Sequence, residues 1–240
     1  MSNSTIICTV TNDLVHDQRM QRICSSLQKM NFSTHLIGRV LKDSTPLEKK
    51  IFSQKRLRCF FNKGFLFYAE YNIRLFFFLL FHSFDIVCGC DLDTLPAAFF
   101  AAKIKRKKIV YDAHEYFPES PELIGKPNKQ SVWLFIEKLL VPRVDGLYTV
   151  SNSIAHLFNK KYKVNCKLIR NLPLKNKNQK NIALPINQRP ILLYQGAVNI
   201  GRGLNEMLLA MLKIENAEFH IAGSGDEFEN IQKHIHELKL

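Results

Sequence analysis

Lys108-Ile109-Val110-Tyr111-Asp112-Ala113-His114-Glu115-Tyr116-Phe117-Pro118-Glu119 decides how the rest of the chain is read. Three apolar residues, Ile109 to Tyr111, follow the basic run Lys103 to Lys108, as in a buried strand entered from solvent. The run then breaks into Asp112, His114, Glu115 and Glu119, and Pro118 and Pro121 close it. In open α/β sheets ligands bind outside the carboxyl ends of the strands. Four titratable side chains directly after a core strand therefore mark a candidate site. The competing reading is a polar loop in which His114 is merely solvated.

The segments on either side repeat the pattern. Before the stretch, strands are expected at Thr5–Thr11, Thr34–Gly38 and Asp85–Cys90, and helices at Gln18–Met30, 64–83 and Asp93–Ala102. Residues 42–63 are charged and poorly periodic, which predicts a mobile loop with short strands. After it come a helix at Ser131–Leu140, a strand at Gly146–Val150, a helix Asn152–Asn159 capped by Ser151, and a strand Lys167–Arg170. Strands alternating with helices at this spacing argue an α/β fold, a doubly wound parallel sheet covered on both faces. Residues 174–190, rich in Lys, Asn and Pro, read as a linker. Beyond them a second unit starts: strand Ile191–Tyr194, helix Leu204–Lys213, strand Glu218–Ala222 and helix Asp226–Leu240. A unit of this size is smaller than the roughly 100 residues that domains usually need, so either the full protein is expected to be longer or this product to be incomplete.

Charge is uneven. Of the net +13, residues from Gln188 onward contribute 5 Lys and Arg against 7 Asp and Glu, a net of −2, which leaves +15 on the first 187. A basic first lobe calls for an acidic partner: anionic lipid headgroups, phosphorylated sugars or nucleic acid. Nucleic acid is disfavoured, because the basic residues interleave with no aromatic stacking motif. The most apolar region, Phe65 to Phe84, is interrupted by Glu70, Asn72 and Arg74. Its longest clean run is well short of the roughly 20 residues that span a bilayer core, which predicts a core or interfacial helix. The six cysteines, Cys8, Cys24, Cys59, Cys88, Cys90 and Cys166, form no C-x-x-C pair and read as scattered, reduced, buried thiols, with no Cys or His cluster beside Cys88 and Cys90 and no metal site.

Three further patterns bear on chemistry. Tyr194-Gln195-Gly196-Ala197-Val198-Asn199-Ile200-Gly201-Arg202-Gly203 follows a strand and opens a helix, where free N–H groups favour a phosphate and Arg202 adds a bidentate cation. Gly223-Ser224-Gly225 repeats the arrangement after the next strand. The alternative is a pair of ordinary βα turns with a solvent-facing Arg202. Asp91-Leu92-Asp93 has the Asp-x-Asp form that holds a divalent metal in some glycosyltransferases, but Asp93-Thr94 is better read as the cap of the following helix, with Pro96 in its first turn. Glu229 and Glu237, eight apart, read as one solvated helix face.

In this light the chain resembles the family 4 glycosyltransferases of the two-lobed GT-B fold. The blocks that carry the likeness are Thr11-Asn12-Asp13 with His16-Asp17-Gln18-Arg19, then Asp91 to Ala98, Tyr111 to Glu115, Thr149-Val150-Ser151, Ile169 to Pro173, Tyr194-Gln195-Gly196 with Gly201-Arg202-Gly203, and Ile221 to Gly225. The resemblance implies an acceptor-side Rossmann-like domain over 1–173, the linker 174–190, and the start of a nucleotide-sugar-binding domain over 191–240. It implies a retaining transferase without metal or other cofactor. His114 would lie by the donor sugar and Arg202 by the leaving diphosphate; Gly196, Gly201, Gly203, Gly223 and Gly225 would hold the donor, and Asn12, Asp13, Arg19, Asp91 and Glu115 would line the acceptor side. Ala197 stands where the family often has a second basic residue. The family's paired glutamates fall beyond residue 240. The expected partners are a nucleotide-sugar and a glycan or lipid-linked cell-envelope acceptor, with a cytoplasmic protein touching the inner membrane face through its basic first lobe. Two alternatives stay open: a non-catalytic lobe that binds an anionic membrane, and a GT-B-like nucleotide-sugar epimerase.

Overall fold

A computed structural model describes residues 4–15, 17–173 and 189–240. His16 and the linker as far as residue 188 lie outside the described residues. The chain divides into two compact units, Met1–Pro173 and Leu174–Leu240.

The first unit holds seven strands: β1 Thr5–Thr9, β2 Ser33–Arg39, β3 Ser53–Leu57, β4 Ile86–Cys90, β5 Lys108–Ala113, β6 Gly146–Thr149 and β7 Cys166–Leu168. Every neighbouring pair is parallel, in the order β3-β2-β1-β4-β5-β6-β7. Helix α1, Gln18–Lys29, connects β1 to β2. Helices α2 Gly64–Phe81, α3 Leu95–Lys105, α4 Pro127–Leu140 and α5 Asn152–Tyr162 make the later crossovers. Sequence order reverses between β1 and β4, and the carboxyl ends of strands at such a switch point are where open sheets bind ligands.

Strand alternation sorts the core into two layers. Ile7, Ile37, Val87, Ile109, Tyr111 and Leu147 point to one face, under α2 to α5. Ile6, Cys8, Leu36, Cys88 and Cys90 point to the other, against Met20 and Cys24 of α1. Each large aliphatic side chain so buried contributes about 1.5–3 kcal/mol. The second layer corrects the cysteine expectation. Cys8, Cys24, Cys88 and Cys90 are not scattered: Cys8 and Cys88 are register partners across β1 and β4, and α1 lays Cys24 over them. All remain free thiols.

Several boundaries moved for local reasons. The helix expected from Asp93 begins at Leu95, and no side chain caps it. The Thr94 hydroxyl turns inward instead, donating to the Cys90 carbonyl at 2.9 Å, and Asp93 is buried. Helix α4 starts at Pro127, where a proline at the first turn costs no hydrogen bond. Ser151 caps α5, its Oγ accepting from the Ile154 N–H at 3.3 Å. The Cys166 N–H donates to the Asn159 side chain at 2.7 Å, which brings the last strand in to Cys166–Leu168. In the 42–63 segment β3 pairs with β2, and Arg56 is held by Asp13 at 3.0 Å.

Helix α2 agrees with the reading of Phe65 to Phe84 as a core or interfacial helix. With 18 residues and a mean hydropathy of 1.3, it is long and apolar enough, by length and composition, to cross a bilayer. Its stripe Phe67, Tyr71, Leu75 and Leu79 is buried in the core, and the Tyr71 hydroxyl donates to the Val10 carbonyl at 2.5 Å. Phe65, Leu66, Ile73, Phe77 and Phe81 on its other side are exposed.

The second unit is a pair of parallel strands, β8 Ile191–Gln195 and β9 Glu218–Ala222, with helices α6 Leu204–Met211 and α7 Phe228–Leu238. Val198, Leu204, Leu208 and Ile231 form its core.

Candidate functional site

In the first unit the polar residues gather where β4 and β5 end. Asp17 caps α1 by accepting from the Met20 N–H at 2.9 Å, so the first turn of the helix stands over the sheet. From that turn Arg19 reaches down to the carboxylate of Asp112. Asp112 is fully buried and also accepts from the Tyr148 hydroxyl at 2.7 Å. Burial pushes its carboxyl up to about 6, and the nearby Cys88 adds to this; Arg19 pulls the other way. The same contact holds the Arg19 guanidinium above its ordinary value, although burial opposes it. Ligand atoms of Cys88, Cys90 and Asp112 lie within 4.8 Å of one another. The carboxylate is already committed to Arg19 and Tyr148, so the group reads as packed core.

One residue past β4, Asp91 adopts a left-handed backbone with φ 62°, a conformation that Asp tolerates better than most side chains. Its N–H donates to the Asp112 carbonyl at 2.9 Å, tying the end of β4 to that of β5. The turn puts Asp91 Oδ1 2.8 Å from Nδ1 of His114, at an angle too poor for a well-formed hydrogen bond. Burial lowers the imidazole pKa, but Asp91 outweighs it and the net shift is upward; Glu115 adds to the rise and Arg19 opposes it. Behind this pair lies Asp93, 6% exposed. Its Oδ2 accepts from the Thr11 hydroxyl at 2.5 Å, while its Oδ1 has no partner. Burial, then the neighbouring Asp91, push its carboxyl up to about 8.

Of the residues expected on the acceptor side, Arg19, Asp91 and Glu115 thus surround His114. Asn12 lies beyond the end of β1, exposed, with its side-chain nitrogen 3.4 Å from Asp17. Asp13 is turned away and buried, where it holds Arg56, Ser44 and the Val15 N–H at 3.0 Å. These partners, set against the raising effect of burial, keep its carboxyl below the ordinary value.

In the second unit the two glycine turns interlock. The Gly196 N–H donates to Ala222, Val198 to the Ser224 carbonyl at 2.9 Å, and Glu227 back to Val198 at 3.0 Å. A Cβ on Gly223 would lie 1.8 Å from the Gly196 carbonyl oxygen, and one on Gly225 2.4 Å from that of Val198. Glycine is required there for one loop to lie on the other, so the space expected to admit a phosphate at these two positions is already filled. Gly201 and Gly203 carry left-handed φ of 80° and 72°. They frame a pocket of about 370 Å³ lined by Asn199, Arg202, Glu206 and Glu227 among others, with Arg202 exposed at its edge.

Sequence reading missed Asp112 as the anchor of Arg19 and Asp93 as a buried acid. The available signal was position: Asp112 is the penultimate residue of a buried strand, and Asp93 shares a short turn with Asp91.

A parallel seven-stranded doubly wound unit followed by a second βα unit defines the GT-B class, and structural comparison agrees. Sucrose-phosphate synthase from Thermosynechococcus elongatus superposes with a TM-score of 0.73 at 14% identity, over 99% of this chain and 68% of that one. WaaG, a glycosyltransferase involved in lipopolysaccharide biosynthesis, gives 0.69 at 13%, over 98% and 67%. Anabaena Alr3699/HepE, solved with UDP-glucose, gives 0.60 at 12%, over 98% and 66%. Likeness at such identities shows the fold, and the chain spans about two thirds of the length of these structures. No curated protein matches it in sequence. Residues 18–173 match the family model Glycosyltransferase Family 4, and the chain belongs to that family.

Proposed function

We propose that the chain works as part of a retaining glycosyltransferase that moves a sugar from a nucleotide-sugar onto a cell-envelope polysaccharide or glycolipid. The observation that carries this reading is the group at the ends of β4 and β5: His114 held against Asp91, beside Arg19, in a family 4 fold. In this reading His114 meets the donor sugar at the reacting centre. Arg202, with the N–H groups around Gly201 and Gly203, takes the diphosphate. Negative charge grows on that diphosphate as the glycosidic bond breaks, and fixed cations and N–H dipoles lower the barrier. The neighbours support the donor class in that one was solved with UDP-glucose.

A membrane-borne acceptor fits the surface of the first unit. The exposed face of α2, with Phe65, Phe77 and Phe81, is apolar. A pocket of about 730 Å³ between the ends of α4 and α5 is ringed by Lys138, Arg143, Lys161 and Lys163. Together these suit the cytoplasmic face of an anionic membrane. They also support a second reading, a lobe that binds such a membrane without catalysis.

Calorimetry with UDP- and GDP-sugars and transfer assays on the full-length enzyme test the first reading. Loss of at least about 100-fold in turnover is expected for His114→Ala and for Arg202→Ala. Unchanged turnover in both would overturn the assignment. Vesicle binding without nucleotide-sugar binding, in chain and full-length enzyme alike, would favour the second.

A further inference from the structure

The carboxylate pair Asp91 and Asp93 lies beyond the end of β4, and the transferase reading gives Asp93 no role. The two behave differently because β4 ends between them and the core. Asp91 sits at the surface of the turn with φ 62°, its carboxylate 2.8 Å from His114 Nδ1. Asp93 points back under α2 and α3. Its carbonyl accepts from the Asn72 side chain at 2.7 Å, and the other end of that side chain accepts from the Ala97 N–H at 3.1 Å. Thr11 holds one Asp93 oxygen, and the other has no hydrogen-bond partner among the described residues.

We propose that Asp91 is a positioning residue for His114, facing Nδ1 at 2.8 Å as its counter-charge so that Nε2 is the nitrogen offered to a bound sugar hydroxyl or phosphate oxygen. This deepens the transferase reading and rests on it for the identity of the ligand, but the geometry stands without it. An anion at Nδ1 favours the imidazolium, in which Nε2–H is a donor; in the neutral ring the same anion keeps the proton on Nδ1 and leaves Nε2 an acceptor. A donor suits a sugar hydroxyl or a diphosphate oxygen. Two ionised carboxylates this close to each other in a buried site repel, so one keeps its proton. The buried Asp93, with its unpartnered oxygen, is the one that does. The other charged groups near the ring are Glu115, which acts with Asp91, and Arg19, which opposes it; Asp112 is spent on Arg19.

The test is NMR titration of the imidazole in the 240-residue chain, with the His114 signals assigned by their loss in His114→Gln. In the unmodified chain His114 should titrate above the ordinary histidine value. In Asp91→Asn it should drop, because the carboxylate that raises it is gone. Asp91→Glu should restore most of the shift, because the carboxylate returns. Asp93→Asn, which mimics the neutral acid, should leave the His114 titration nearly unmoved. Preserved backbone amide spectra guard against unfolding. Where the Asp91→Asn chain loses its fold, Asp91→Glu and Asp93→Asn still decide: a value left in place by the first and by the second supports the proposal. A normal or low value in the unmodified chain, no drop in a folded Asp91→Asn chain, or a drop in Asp93→Asn equal to that in Asp91→Asn would overturn it. In the full-length enzyme Asp91→Asn should displace the pH–rate profile, whereas a merely structural residue would lower the rate at every pH alike. Sugar transfer that persists alongside a failed titration would sink this inference alone; a sound titration with no transfer would sink the transferase reading alone.

Discussion

The two units build their candidate sites from different materials. At the ends of β4 and β5 the first unit uses buried side-chain charge: Arg19 on Asp112, His114 on Asp91, Asp93 held back in the core. In the second unit the turns at 196–203 and 223–225 are held by backbone hydrogen bonds and by the absence of side chains at Gly223 and Gly225. The cation within those turns, Arg202, stands exposed. A site made of buried charge ties function to stability and to pH. A site made of backbone ties its shape to sterics, and leaves the exposed cation free to change without cost to the fold.

The largest expected effect breaks the first arrangement. Arg19→Ala leaves Asp112 in the core with the Tyr148 hydroxyl but no counter-charge. Removing one partner of a buried pair costs about 3–5 kcal/mol, a large part of the stability of a single domain. Denaturant unfolding of the chain should show it at neutral pH, and the loss should shrink near pH 5, where Asp112 takes up a proton more readily once its cation is gone. In the second unit the counterpart is Gly223→Ala. The added Cβ at 1.8 Å from a carbonyl oxygen forces the two loops apart, so hydrogen exchange at Val198 and Glu227 should accelerate at least tenfold while the β4 and β5 amides stay protected. Equal effects on both units, or none on either, would erase the contrast.

A smaller effect sharpens it through pH. Asp93 at about 8 and Asp112 at about 6 lie above the unfolded carboxyl value near 4, and His114 is raised as well. A group raised on folding stabilises fully below its unfolded pKa, and that contribution is lost as pH climbs through the folded one. All three therefore make the first unit less stable as pH rises from about 4 to about 8. Asp13, Glu48, Glu70, Asp85 and Asp145 are lowered and act oppositely, but their stabilisation is in place by about pH 5, while the lowered His35 offsets part of the fall as pH approaches 6.5. Thermal melts of the chain should show stability falling across that window. Asp93→Asn, the neutral isostere, should flatten the slope, and a slope unchanged in that variant would mean that Asp93 is ionised throughout.

What the sequence made legible follows the same division. Buried parallel strands are nearly continuous apolar runs, so β1, β4 and β5 stand out in the composition of a few residues. Strand β3, Ser53–Leu57, has no such run, because it is an edge strand, and Asp13, the charge that holds its Arg56, comes from a distant position. His114 could be singled out because it follows a core strand. Asp93 was misread as a cap, since a cap and a buried acid look identical until the turn at Asp91 decides which way the chain points. The glycines were found but for another reason than the one that places Gly223 and Gly225. Phosphate approach and loop-on-loop contact demand the same missing Cβ, and only coordinates tell them apart.

Arg202→Ala should have the smallest effect on folding and the clearest consequence for the comparison. The side chain is exposed, so its removal should shift the unfolding free energy by no more than about 0.5 kcal/mol. The turn itself is shaped by Gly201 and Gly203, whose left-handed φ the substitution does not touch. If the guanidinium meets a diphosphate, nucleotide-sugar affinity should nonetheless fall at least tenfold in calorimetry of the full-length enzyme, with a weakened dependence on salt. Stability and binding would then separate cleanly in the second unit, where in the first they move together. A variant that loses stability along with affinity would show instead that Arg202 braces the turn, and that both units build their sites from charge.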